Sequence, residues 1–269
     1  MNTPRMPVSR GMMSSNRAQT RTLTATPRAA PSINRPQRAA TLMRRYEITS
    51  LDRDGTVHGM TRPAPATPIF EQAFAALARG TLITTTAGPV AVEDLMPGDF
   101  LQTHEDGPQQ LLWIGMMMLF PASVPGQSAC PGPIRVPADS FGPGRPANDV
   151  VLGPYARLLH RAGCHTASRD DGWSYTPLAD LIDANSAIRL SPATPVPVYH
   201  LGLRRHATIC AAGLDIESVH PGAALQTLSD EMVSLYLGLF PHIRQISSFG
   251  PLAHPQHPFP DRATRSDAA

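Results

Sequence analysis

The sequence predicts a mostly-β protein, and three features carry that prediction. Short runs of apolar and β-branched residues recur at about ten-residue spacing from residue 76 onward, with turn signals between them. Prolines number 29 in 269 residues, roughly twice the ~5% of average usage. Proline removes a backbone donor and breaks helices, so a large helical bundle is excluded. Helices are expected in two short stretches, 177–184 and 230–240, where apolar residues fall at helical spacing.

The elements follow in chain order. Residues 46–58 read as a strand, an Asp-Arg-Asp-Gly turn and a second strand, and Arg62 to Pro68 reads as a Pro-rich linker. Thr81–Thr86 is a β-branched strand, Ala87-Gly88-Pro89 a turn and Val90–Val92 another strand. In Glu93–Asp99 the Pro97-Gly98 pair fixes a turn, after which Phe100–Thr103 and Gln110–Ile114 extend again. From Met116 to Pro146 the chain is rich in Pro and Gly, with only Ile134–Val136 strand-like. Asp149–Leu152, Ala156–Leu159, Trp173–Thr176, Val196–Leu201 and His206–Cys210 are further strands, and Pro177–Ala184 fits a short helix. Residues 230–240 predict a C-terminal helix with Ser229 or Asp230 as N-cap, and the last twenty residues are expected to fray.

Charge divides the chain unevenly. Residues 1–46 hold nine arginines and no acid, whereas 47–269 hold fourteen arginines against all twenty-one acids, a net of −7. There is no lysine at all, which reads as a GC-rich coding bias. The segment 1–45 has too few clustered apolar residues to offset its ordering entropy and is expected to be a disordered, solvated arm. Its alternatives are an organelle-targeting peptide or a nucleic-acid tether. No aromatics interleave with the arginines to stack bases, so nucleic acid is not the expected partner. No apolar run approaches the ~18 to 20 residues that span a bilayer. Cys130, Cys164 and Cys210 are widely spaced without a CxxC, which supports neither a disulfide framework nor a zinc-finger site.

Three stretches taken together resemble the Hint (Hedgehog/intein) family, nearest to its bacterial stand-alone members. Arg79–Thr84 followed by Gly88–Asp99 is similar to the family's opening strand, turn and Glu-Asp-Leu-x-Pro-Gly-Asp element. Gln109–Gly115 matches its Trp-Ile-Gly strand, and His206–Ser218 resembles its C-terminal signature ending in Glu-Ser. The resemblance covers residues 76–222, leaving 46–75 as hairpin and linker and 223–269 as helix and tail. It implies a horseshoe-shaped all-β Hint fold. It also implies autoprocessing, in which a leading cysteine attacks the preceding carbonyl and a histidine helps the amine leave.

At the positions this resemblance assigns to chemistry, the sequence departs from the family. The cysteine position is Ala76; in Leu152–Leu159, which matches the family's second chemical element, the serine position is Gly153 and the histidine position is Ala156, while Pro154 and Arg157 remain. Without nucleophile, hydroxyl and imidazole, no intact catalytic set is expected. Thr81, Asp149 and His206 are the candidate remnants of a cleft, with structural readings beside them: strand residue, acid before a strand, hydrogen-bonded histidine. His160 would reach the vacant imidazole position only through a register slip. Cys164-His165 lacks a second ligand pair, and His220, His242, His254 and His257 read as a polar tail rather than a metal site. Met116–Met118 reads as strand packing.

The expectation is therefore a degenerate Hint module without peptide-bond rearrangement, acting in binding or scaffolding. It calls for no cofactor and no metal, has a protein as its expected partner and the cytoplasm as its expected compartment. The alternatives are a self-cleaving protein that breaks the 75–76 bond with non-standard residues, and an arginine-arm tether for an acidic partner or nucleic acid.

Overall fold

Fifteen antiparallel strands organise the chain in a computed structural model, described over residues 42–121, 130–161 and 172–259. The arginine-rich segment before residue 42, Cys164-His165 and residues 260–269 lie outside the described residues. Strands β1 (Met43–Leu51) and β2 (Val57–Pro65) form a hairpin whose turn is closed by Asp54 accepting from the Thr56 N–H at 2.9 Å. The stretch Arg62–Pro68 is not a linker. It carries the end of β2 and the start of helix α1 (Pro68–Gln72), because β2 is an edge strand and tolerates prolines that lack a donor. Nor does the N-terminal arm run to residue 45, since Arg44 is buried within β1.

The central part comprises β3 (Leu77–Ala78), β4 (Leu82–Thr85), β5 (Gly88–Ala91), β6 (Phe100–Thr103) and the long β7 (Gly107–Leu119). Met116–Met118 belongs to β7, and Met117 faces the core. The middle of the chain gives β8 (Ile134–Val136), β9 (Val150–Leu152), β10 (Arg157–Arg161), β11 (Trp173–Pro177) and β12 (Ile188–Arg189). Between β11 and β12 the expected helix shrinks to one 3-10 turn, Leu178–Leu181. The Asp183 carboxylate takes the Asn185 and Ser186 N–H groups and Ala184 turns to φ 66°, so a helix cannot continue. Last come β13 (Val196–Leu203), β14 (Thr208–Ala211) and β15 (Leu214–Glu217). Helix α2 (Asp230–Leu237) is capped by Ser229, whose Oγ accepts from the Met232 N–H.

The strands run in the order β11-β10-β15-β14-β4-β6-β7-β13-β3-β9-β8-β12, with β1 and β2 added beside β7 and β5 beside β4. β7 bridges the two halves, pairing with β6 at its start and with β13 along most of its length. Two apolar cores result. One gathers Leu77, Ile83, Leu101, Leu111, Leu152 and Ile209. The other is aromatic and built largely from flanking segments: Tyr46 of β1, Phe70 of α1, Phe74, Trp113, Tyr236 and Phe240. Trp113 is fully buried, stacks on Phe240 at 4.6 Å and donates its indole N–H to the Leu239 carbonyl. Gly115 exists in that strand because a Cβ there would meet the Trp113 ring at 2.1 Å.

Candidate functional site

The Ala75–Ala76 peptide bond lies where the two apolar cores meet, Ala75 in the aromatic one and Ala76 in the other. β3 begins one residue later and is held on both sides, Leu77 opposite Tyr199 of β13 and opposite Leu152 of β9. The Ala76 N–H donates to the Tyr199 carbonyl at 3.0 Å. The loop after β9 then wraps the same bond: the Gly153 N–H donates to the Ala76 carbonyl and the Tyr155 N–H to the Ala75 carbonyl, both at 2.9 Å. Of the positions that the sequence resemblance assigns to the family's chemistry, Ala76 and Gly153 are hydrogen-bonded to each other, and the Ala156 N–H donates to the Gly153 carbonyl at 3.3 Å. Ala75, Ala76 and Ala156 are essentially inaccessible to solvent.

Glycine is required at 153. A Cβ built there would lie 2.1 Å from the Ala75 carbonyl oxygen, so the chain entering residue 76 runs through the volume that a side chain would fill. Chemically the arrangement keeps one N–H aimed at the Ala75 carbonyl, of the kind that stabilises a developing oxyanion. The flanking Ala76 and Ala156 supply neither nucleophile nor acid.

The turn after β3 is fixed by the Glu-Asp-Leu-Met-Pro-Gly-Asp element. Glu93 accepts the Gly80 N–H at 2.8 Å and pairs with Arg79. Burial alone would raise the Glu93 pKa, but the Gly80 N–H and Arg79 outweigh it and hold the carboxyl below its ordinary range. In the Pro97-Gly98 turn, Asp99 accepts the Met96 N–H at 2.8 Å.

The candidate remnants fall in different places. Thr81 is buried, and its hydroxyl donates to the Ala78 carbonyl at 2.7 Å, with the Val151 carbonyl 3.2 Å away. Asp149 pairs with the exposed Arg135 and accepts the Ala138 N–H, at the β8–β9 end of the sheet. His160 is in β10, opposite Ser174 of β11. His206 is buried in a polar cluster that sequence reasoning did not assemble. Its Nδ1 accepts the Ala253 N–H at 3.0 Å, which places the ring proton on Nε2, 3.1 Å from Glu217 Oε1.

Glu217 is the centre of that cluster. It is 2% exposed and also receives Arg157 Nη1 at 3.1 Å and the Gln256 amide at 2.5 Å. Burial would raise its pKa, yet His206, Arg157 and Gln256 together keep the carboxyl below its ordinary range. The arginine of the second element and the glutamate of the C-terminal signature therefore form one buried ion pair. The nearest sequence signal was their retention within otherwise altered motifs. His200 of β13 was also missed. Its ring nitrogens lie 3.1 Å from the Gln72 carbonyl and 3.3 Å from the Glu217 carbonyl, and burial pushes its pKa down to about 4.

Residues 250–259, expected to fray, instead pack across this cluster. The Tyr175 N–H donates to the Pro255 carbonyl at 2.8 Å and the His257 N–H to the Tyr175 carbonyl at 2.9 Å, a parallel bridge on β11. His220 donates toward the Gly250 carbonyl and accepts the Gly222 N–H, and His254 lies 3.2 Å from Glu105. Among the described residues no group of three or more His, Cys, Asp or Glu is placed to hold a metal, and no helix is long and apolar enough to cross a membrane.

An opening strand with its Pro-Gly-Asp turn, a second element closing on the bond before it, and a returning Glu-Ser strand define the Hint class of domain. The Hint-domain family model matches residues 75–223, more than half of the chain, and the protein belongs to that family. Among solved structures the chain is similar to a bacterial intein-like domain from Clostridium thermocellum, at 13% identity over 54% of this chain and 99% of that one, with a TM-score of 0.35. It is likewise similar to the MchDnaB-1 intein, at 17% identity over 54% of this chain and 100% of that one, with a TM-score of 0.33. A DnaB intein from Synechocystis gives 12% identity over 54% of this chain and 99% of that one, with a TM-score of 0.33. No curated protein matches.

Proposed function

We propose that this chain is a Hint domain without autoprocessing, which keeps the fold as a binding or scaffolding module. The observation that carries the reading is the Ala75–Ala76 bond. Its N–H and both adjacent carbonyls are engaged by backbone partners, its flanks are alanines, and the Ala75 carbonyl occupies the space a residue-153 side chain would need. The segment before the bond supports the same conclusion. In a self-cleaving domain that segment leaves, whereas here β1, α1 and the turn after α1 furnish Tyr46, Phe70 and Phe74 to the aromatic core. Cutting at 75 would separate those side chains covalently from the core they complete.

The test is the intact mass of the full-length protein under denaturing conditions, after incubation with and without dithiothreitol or hydroxylamine. Denaturation is needed because a cleaved 1–75 fragment would stay bound through β1. One unchanged species near 28.9 kDa is expected. A fragment ending at Ala75 would overturn the reading and establish cleavage by non-standard residues.

A further inference from the structure

We propose that the groove along the open edge of β11 is a peptide-binding site, held in this structure by the chain's own residues 253–259. The partner it fits is an extended, proline-containing segment of another protein with a glutamine and, three residues on, an aromatic side chain. This deepens the binding-module reading above and rests on it.

β11 pairs with β10 on one side, and its other edge offers the Tyr175 N–H and C=O. The tail takes both groups, through the Pro255 carbonyl and the His257 N–H, which is how an extended ligand adds a strand to an exposed edge. Pro255 and Pro258 fix their φ angles near the extended value, so less entropy is lost on docking.

Side chains read the segment at two points. The Gln256 amide donates to Glu217 Oε1 at 2.5 Å and reaches the His220 carbonyl at 3.4 Å. Room for that amide comes from Gly222: a Cβ there would meet Gln256 Oε1 at 1.9 Å. Three residues later, Phe259 lies under the Arg157 guanidinium at 3.9 Å and edge-on to Tyr155 at 5.2 Å, while Arg157 Nε donates to the His257 carbonyl at 3.3 Å. The buried Arg157–Glu217 pair thus presents one charge to each reading point.

The tethered tail competes at an effective concentration on the order of millimolar, so the groove should be weakly available in the unmodified chain. The test uses the full chain carrying Gln256→Ala and Phe259→Ala, its fold checked by circular dichroism. A labelled synthetic peptide of residues 251–259 is titrated by fluorescence anisotropy. The variant should bind at least about tenfold more tightly than the unmodified chain, and a peptide with the same two substitutions should lose about tenfold or more. A folded variant that binds no tighter, or substituted peptide that binds equally, overturns the proposal.

If the double variant does not fold, hydrogen exchange in the unmodified chain decides. Excess peptide should deprotect the His257 amide of the tail while Tyr175 stays protected, and unchanged His257 protection at millimolar peptide overturns the proposal. A dimer of the unmodified chain formed by exchanged tails would assign the groove to a second copy and equally overturn the partner. Cleavage at Ala75 would defeat the non-processing reading without touching this titration, so the two failures are distinguishable.

Discussion

The Tyr155 N–H donates to the carbonyl oxygen of Ala75 at 2.9 Å, joining the loop after β9 to the peptide unit that opens the Hint domain. That contact requires residue 153 to be glycine, since the Ala75 carbonyl sits 2.1 Å from where a Cβ would be. Restoring the family's serine is therefore not a neutral change. Gly153→Ser should destabilise the protein by about 2–3 kcal/mol, because rigid backbone on the facing side has to move. Ala156→Ser, at a buried position whose Cβ already exists, provides the comparison. Urea denaturation midpoints check both, and a Gly153→Ser midpoint equal to that of the unmodified chain would refute the tight approach.

The segment before the domain is predicted to be required for folding. Arg44 of β1 and Glu71 of α1 are nearly solvent-free and meet at 2.9 Å, and Arg44 also donates to the Met118 carbonyl at 2.7 Å. Removing one member leaves an unpaired buried charge, which costs about 3–5 kcal/mol. Arg44→Ala and Glu71→Ala should each lower stability by that order, and the double variant should cost less than the sum of the two. Additive losses in a double-mutant cycle would show that the pair does not couple α1 to the sheet.

The strand order along the chain was legible because its signals are local. Pro97-Gly98, the β-branched run at Thr81–Thr86 and the Ser229 cap each act through neighbouring backbone, and each is where the pattern put it. Ala76, Gly153 and Ala156 could likewise be aligned from motif spacing, and the backbone of Gly153 bonds to both of the others. What stayed hidden depends on long-range partners. Arg44 reads as one more arginine of a basic arm until Glu71 is seen beside it, and nothing local marks Gln256 as a partner of Glu217, 39 positions earlier. The prolines after Arg62 suggested a linker because composition does not say which edge of a strand is unpaired. The tail looked frayed for the same reason: its hydrogen bonds are made to β11, not to itself.

The Arg157–Glu217 pair should separate structure from tail binding. Glu217→Gln keeps the shape but turns the acceptor of the Arg157 and Gln256 donors into a half-matched amide, and it leaves Arg157 buried without its counter-charge. The loss should be about 2–4 kcal/mol, toward the value for breaking a buried pair. Arg157→Lys keeps the charge while removing the planar surface over Phe259 and the fork that reaches both Glu217 and the His257 carbonyl. Its cost should be smaller globally, but the tail amide of His257 should exchange faster. Equal protection at His257 in both variants would argue that the tail is held by β11 alone.

Stability should fall on mild acidification, and the sign follows from three histidines. Burial pushes the pKa values of His200, His220 and His242 from 6.5 down to about 4. The His206 ring beside His220 adds to the effect there. Between about pH 6.5 and 4 the unfolded chain binds more protons than the folded one, so lowering the pH favours unfolding. The contribution of these groups is complete above about pH 6.5 and is lost progressively toward pH 4, at up to about 1.4 kcal/mol per pH unit for each. The carboxyls held low, Glu217 among them, act in the same direction but only below the ordinary carboxylate range. His242 is the cleanest probe, because burial is the sole cause of its shift and its buried Nδ1 has no partner among the described residues. Thermal midpoints across pH 4 to 8 should therefore decline below about 6.5, and His242→Phe should make that decline shallower. Midpoints that stay level down to about pH 4.5, where only the carboxylates begin to titrate, would show that these imidazoles accept protons as freely in the fold as in the unfolded chain.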